Sequence, residues 1–253
     1  MHTKNLIVCV IFYANSVISW DYENQPWNFG QCMGSKQSPI NLDSSTTEKL
    51  VTDNLDSMNF LNLNILNEVI PSKMENPINK EHPEHSLRYT FEPEIGTDSV
   101  KCLQTHFHFD TSEHSVNNQS YFGEMHVVCY KTEYGSYENA VASGFDDSIV
   151  VFGFHIDIDV EAGENNEISQ MFDDKKECEE NSQCSFNFVI PQPVDLGGFF
   201  RYYGSFTTPD CNEEVEWTVF EGKILKKVVE ICEKCLKISN CRFRNFRFFI
   251  FSC

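Results

Sequence analysis

Thr105-His106-Phe107-His108-Phe109 alternates imidazole with phenyl rings, and a repeat of two is the signature of a β-strand whose two faces meet different surroundings. Both histidines then leave one face of the strand and both phenylalanines the other. Residues 85–91, 100–109, 121–130 and 149–158 alternate in the same way or run apolar over strand lengths, between clusters of Gly, Asn, Asp and Ser. Phe is abundant, with 22 copies in 253 residues, and much of it sits in such patterns. A β-dominated α+β fold follows, with strands packed through aromatic faces.

Outward from these central strands the signals are weaker. Gln37-Ser38-Pro39-Ile40-Asn41-Leu42 reads as a turn entering a short strand, and residues 50–84, rich in Asn, Glu, Pro and Lys, read as loops with edge strands. Residues 162–183 are acidic, with a surface helix predicted over 168–172 and 175–180. Short strands and turns resume at 186–190, 204–209 and 215–220. No internal repeat or low-complexity linker interrupts the chain, and its length suffices for one large core, so a single domain is expected.

Residues 1–19 carry one Lys, an apolar run from Leu6 to Tyr13 and short residues before Trp20, the pattern of a signal peptide. No later stretch approaches the length of a transmembrane helix. The 11 cysteines suit an oxidising compartment, and Asn118-Gln119-Ser120 is a glycosylation acceptor motif. A secreted, extracellular protein is expected. The formal charge of −19, spread along the chain, argues against nucleic acid or an anionic membrane as the main partner. Protein partners are not indicated.

His106 and His108 can converge on one metal ion from their shared face, and three neutral imidazoles around zinc leave the fourth tetrahedral position open. Gln104 shares that face and can orient an imidazole. Glu124 and His126 likewise share a face on a later strand, placing a carboxylate beside a third candidate ligand, and ligating histidines need such partners to fix their tautomer.

Gln104-Thr105-His106-Phe107-His108-Phe109, Ser112-Glu113-His114, Glu124-Met125-His126-Val127-Val128 and Gly204-Ser205-Phe206-Thr207-Thr208-Pro209 resemble, in order and spacing, the signature segments of the alpha-class carbonic anhydrases of secreted type. Gln37-Ser38-Pro39-Ile40-Asn41 resembles the N-terminal segment of that family, and Trp217 falls where the family has a pocket tryptophan. The resemblance covers residues 20–222. It implies a large, mostly antiparallel central sheet with short peripheral helices, and one Zn2+ per chain on His106, His108 and His126.

The activity implied is reversible hydration of carbon dioxide to bicarbonate and a proton by zinc-hydroxide attack, open to sulfonamide and anion inhibitors. Thr207 would accept a hydrogen bond from the hydroxide and donate to an ionised Glu113. Val128, Val151, Phe206 and Trp217 would form the apolar wall, with Thr208 at the entrance. Phe206 departs from the smaller Leu commoner in the family. His85 resembles the proton-shuttle position through His85-Ser86-Leu87, although Glu84 replaces the usual Gly and His82 is a nearby competitor.

Secreted relatives also imply a bridge from Cys32 to Cys211. Cys178 and Cys184 are spaced to close a small local loop. By strict alternation Cys102 belongs to the pocket face, whereas Cys129 points away from the face carrying His126, so a bond between these two is not expected. Cys232, Cys235, Cys241 and Cys253 have no assignable partners. Residues 223–253 read as a divergent C-terminal segment, truncated or poorly ordered, with Asn240-Cys241-Arg242 at best a remnant of the family's closing segment and the basic aromatic run 242–247 a surface feature. The alternative function is a catalytically weak extracellular binding or structural module of the same fold. A cupin metal site built on His106, His108 and Glu113 leaves the Gln-Ser-Pro and Thr-Thr-Pro segments unexplained.

Overall fold

Ten strands follow one another: β1 (Asn41–Leu42), β2 (Val69–Glu75), β3 (Ser86–Gly96), β4 (Val100–Phe109), β5 (Ser115–Val116), β6 (Gly123–Lys131), β7 (Ile149–Ile158), β8 (Gln183–Val189), β9 (Phe199–Gly204) and β10 (Val215–Lys226). They come from a computed structural model that describes residues 30–46, 69–75, 86–109, 111–158, 171, 174, 178, 183–191 and 198–226. The signal-like stretch 1–19, His82, His85 and the cysteines from Cys232 onward lie outside the described residues, as does Asn240-Cys241-Arg242.

Eight strands form one sheet in the order β8-β2-β3-β4-β6-β7-β10-β9. Every neighbouring pair is antiparallel except β7 and β10, which run parallel. The expected β-dominated architecture is therefore present, and a short helix, α1 (Tyr137–Ala142), is capped by the Ser136 side chain accepting from the Asn139 amide. The predicted edge position of the strand in 50–84 is corrected. β2 lies second in the sheet, between β8 and β3, and its Ile70 and Met74 are buried in the core. Residues 204–209 form no strand beyond Gly204, and β10 extends past the predicted 215–220 to Lys226.

Alternation sorts the side chains onto two faces. Phe107, Met125, Val127, Phe152 and Phe154 point into the larger core, where Tyr89 stacks on Phe188 and Phe154 on Phe220. Met171 and Cys178, from the predicted helical stretch, close over the same core. The opposite face carries Val128, Val151, Trp217 and Val219.

Strict alternation fails within β4, and the cysteine expectation fails with it. Cys102 pairs with Cys129 and Gln104 with Val128, so β4 holds one extra residue, Leu103, opposite no residue of β6. This bulge inverts the parity of the strand. Cys102 therefore joins the larger core and not the pocket face, and it is bonded to Cys129. Disulfides also join Cys32 to Cys211 and Cys178 to Cys184.

Candidate metal centre

Cross-strand register assembles the site. His106 on β4 lies opposite His126 on β6, and His108 opposite Glu124. Directly opposed residues share a face, so the three histidines meet. Their ring centroids form a near-equilateral triangle, with separations of 5.1, 5.0 and 5.0 Å. His108 and His126 are buried and His106 is partly buried.

Hydrogen bonds fix which nitrogens face the centre. His106 Nδ1 donates to Gln104 Oε1 at 3.0 Å, which leaves Nε2 as the lone-pair atom of a neutral ring. His126 Nε2 donates to Glu124 Oε1 at 2.9 Å, which leaves Nδ1 likewise. Those two nitrogens are 3.2 Å apart. Two lone pairs repel at that distance unless a cation lies between them, and tetrahedral zinc–imidazole bonds place nitrogens about 3.3 Å apart. Burial holds the His126 pKa below the usual imidazole value, against the pull of Glu124, so the ring stays neutral as a ligand must. His106, His108 and His126 are thus a set that can hold a metal ion, and the donor chemistry fits zinc.

The shell behind His126 is larger than sequence reasoning foresaw. Glu124 Oε1 also accepts from His114 Nδ1 at 2.7 Å, and Glu124 Oε2 accepts from the His114 backbone N–H at 2.7 Å. Tyr202 Oη donates to His114 Nε2 at 2.6 Å and meets Ser38 Oγ at 2.8 Å, while Ser38 Oγ accepts from the Ser205 N–H at 3.1 Å. A continuous hydrogen-bonded chain therefore runs from Ser38 through Tyr202, His114 and Glu124 to His126. It gives Gln37-Ser38-Pro39 a physical role. His114, Glu124 and His126 form a second close group, but their mutual hydrogen bonds already satisfy it.

Burial pushes the Glu124 carboxyl up, yet the imidazoles of His114 and His126 outweigh it and hold Glu124 well below the usual carboxylate range. Gly153 makes room for this carboxylate. It lies opposite His126 on β7, and a Cβ there would sit 3.0 Å from Glu124 Oε1. His114, Tyr202, Ser38 and Gly153 carried no readable signal of these contacts, because each contact spans distant parts of the chain.

Glu113 behaves in the opposite sense. Burial raises its pKa, opposed by the neighbouring His126 and Thr207 side chains. Its Oε2 lies 3.5 Å from His108 Nε2 and 3.9 Å from His126 Nδ1, so a cation among the histidines would draw the carboxyl toward ionisation.

Val128, Val151 and Trp217 stand in one rung across β6, β7 and β10. The Trp217 ring lies 4.8 Å from that of His126, and its Nε1 donates to the Ser205 carbonyl at 3.0 Å. Phe206 packs against the same cluster, and Thr208 is half-buried on the same loop. Backbone bonds from Phe206 N–H to the Asn212 carbonyl and from Cys211 N–H to the Thr208 carbonyl close that loop, which the bridge from Cys211 to Cys32 ties down.

The family model of eukaryotic-type carbonic anhydrases matches residues 21–242. Carbonic anhydrase 4 of Rattus norvegicus is 31% identical over 211 residues, 77% of this chain and 64% of that protein. Carbonic anhydrase 6 of Bos taurus is 26% identical over 253 residues, covering 91% and 76%. Carbonic anhydrase 4 of Oryctolagus cuniculus is 29% identical over 239 residues, covering 83% and 72%. The aligned part thus spans slightly less than two thirds of the rat protein.

Proposed function

Because this chain belongs to the eukaryotic-type carbonic anhydrase family, we propose that it is a secreted zinc enzyme interconverting carbon dioxide and water with bicarbonate and a proton. One observation carries the reading. The unprotonated nitrogens of His106 and His126 face each other at 3.2 Å while their other nitrogens are held by Gln104 and Glu124. Zinc held by His106, His108 and His126 supplies acidification of a water molecule into the neutral range, for which carbonic anhydrases are themselves the type example.

The remaining steps belong to the protein. In this reading the Thr207 hydroxyl donates to Glu113, whose pKa it lowers, so toward the pocket its oxygen can only accept. A hydroxide in the pocket must then point its hydrogen at Thr207 and its lone pair at the substrate. Carbon dioxide is apolar, which suits a wall of Val128, Val151, Phe206 and Trp217, with Thr208 at the entrance. His85 is our candidate for passing the proton to solvent, through the near-neutral titration of imidazole. The secretory reading, as a glycoprotein, rests on the pattern of residues 1–19 and on disulfides that an oxidising compartment sustains.

The test is to purify the chain from a secretory host, measure bound zinc, and follow carbon dioxide hydration by stopped flow with and without a sulfonamide. Zinc binding with sulfonamide-sensitive hydration is expected. Zinc without hydration would favour a binding module, and folded protein that takes up no zinc would overturn the reading.

A further inference from the structure

The turn that follows β5 carries two asparagines with different duties. Val116 and Gln119 exchange backbone hydrogen bonds in both directions at 2.9 Å. Between them Asn117 and Asn118 have φ of 51° and 65°. Positive φ at both central residues is the requirement of a type I′ hairpin turn, which Asn tolerates better than other side chains.

The side chain of Asn117 is spent inside the fold. Its Oδ1 accepts from both the backbone N–H and the hydroxyl of Ser44, each at 3.0 Å. Asn118 is held by its backbone alone, whose N–H donates to Asn41 Oδ1 at 2.7 Å. The Asn118 carboxamide makes no hydrogen bond among the described residues, and residues 117 to 120 are all exposed.

Asn118-Gln119-Ser120 is also the one Asn-x-Ser/Thr triplet in the sequence. We propose that Asn118 is the N-glycan attachment site of this protein, on a rigid turn whose neighbouring Asn117 is committed to holding the fold. This rests on the secretory reading above. The donor class is a lipid-linked diphosphate oligosaccharide, presented by a membrane-bound transferase. A bond forms between Asn118 Nδ2 and the anomeric carbon of the first sugar, the bond from that carbon to the phosphate oxygen breaks, the lipid diphosphate leaves, and the amide proton passes to the transferase's base. The folded chain can carry the product because neither the amide nor the Ser120 hydroxyl is needed in the interior.

The experiment uses the full chain in a eukaryotic secretory cell, with a parallel arm routed by a heterologous signal sequence. Electrophoretic mobility is compared before and after peptide N-glycosidase, with N118Q and S120A alongside. A single-step shift is expected in wild type and complete loss of it in both variants, with Asn118 recovered as Asp in the released peptide. Unshifted wild type in the heterologous arm overturns the site. A shift there, with the unaided chain left in the cytosol, supports the site and sinks the secretory reading instead.

Discussion

Cys102 and Cys129 lie directly opposite each other on β4 and β6 and are joined by a disulfide. These are the strands that carry His106, His108 and His126. The bond sits immediately beyond the bulge at Leu103, in the larger core, with both cysteines buried. It therefore closes the ladder on the side of the bulge away from the histidines.

The paired substitution Cys102→Ala/Cys129→Ala is expected to cost stability chiefly through the unfolded chain. Releasing a loop of sequence separation 27 costs about 3–4 kcal/mol on the chain-entropy model. Urea unfolding of wild type and variant checks this. A difference below about 1 kcal/mol would count against a stabilising bridge.

Glu124→Gln removes the charge that receives His114 and His126. Zinc affinity is expected to fall about 10- to 100-fold, the usual cost of losing such a partner, and competition with a chromophoric chelator measures it. The same residue governs acid stability of the metal-free protein. Its native pKa is depressed, so its contribution is fully present above the unfolded value near ~4.3 and is lost as pH falls through the lower native value. The acid limb of the stability profile is expected to flatten in the variant; an unchanged limb would exclude Glu124 as its source.

Gly153→Ala brings a methyl group to 3.0 Å from Glu124 Oε1 and 3.3 Å from Val219 Cγ2. The carboxylate has little room to retreat, being held by three hydrogen bonds from His114 and His126. Overpacking is expected to cost about 1–3 kcal/mol and to weaken zinc binding together with stability. Wild-type zinc affinity in this variant would mean that the carboxylate does not need the space.

Tyr202→Phe leaves His114 Nε2 buried without its donor, while Ser38 Oγ keeps only the Ser205 N–H. A loss of about 1–3 kcal/mol is expected, visible in thermal and chemical unfolding. Wild-type stability would indicate that water or another group replaces the hydroxyl.

Phe206→Leu shortens a side chain packed against the Val128, Val151 and Trp217 wall. A wider cavity is expected to raise kcat/KM for carbon dioxide hydration in stopped-flow assays. No rise would remove Phe206 as a brake on turnover.

The repeat of two was enough to place β4 and β7 at their observed bounds, and to put His106 with His108 and Glu124 with His126. These are local relations, decided within a few residues by the pleat of a strand. The bond between Glu124 and His114 was not visible, although both residues stood in segments already marked. Nothing along the chain shows that a loop will turn His114 back onto β6.

Sequence by itself determined the strand periodicity, the shared faces and, through several separated motifs, the family. Tertiary structure decided what depends on register: the pairing of His106 with His126, the chain of hydrogen bonds from Ser38 to Glu124, and the bond between Cys102 and Cys129. The physical reason is that alternation reports a face only while no residue is inserted. Leu103 inserts one, and whether a strand bulges is settled by its partner and by the core that must close around both.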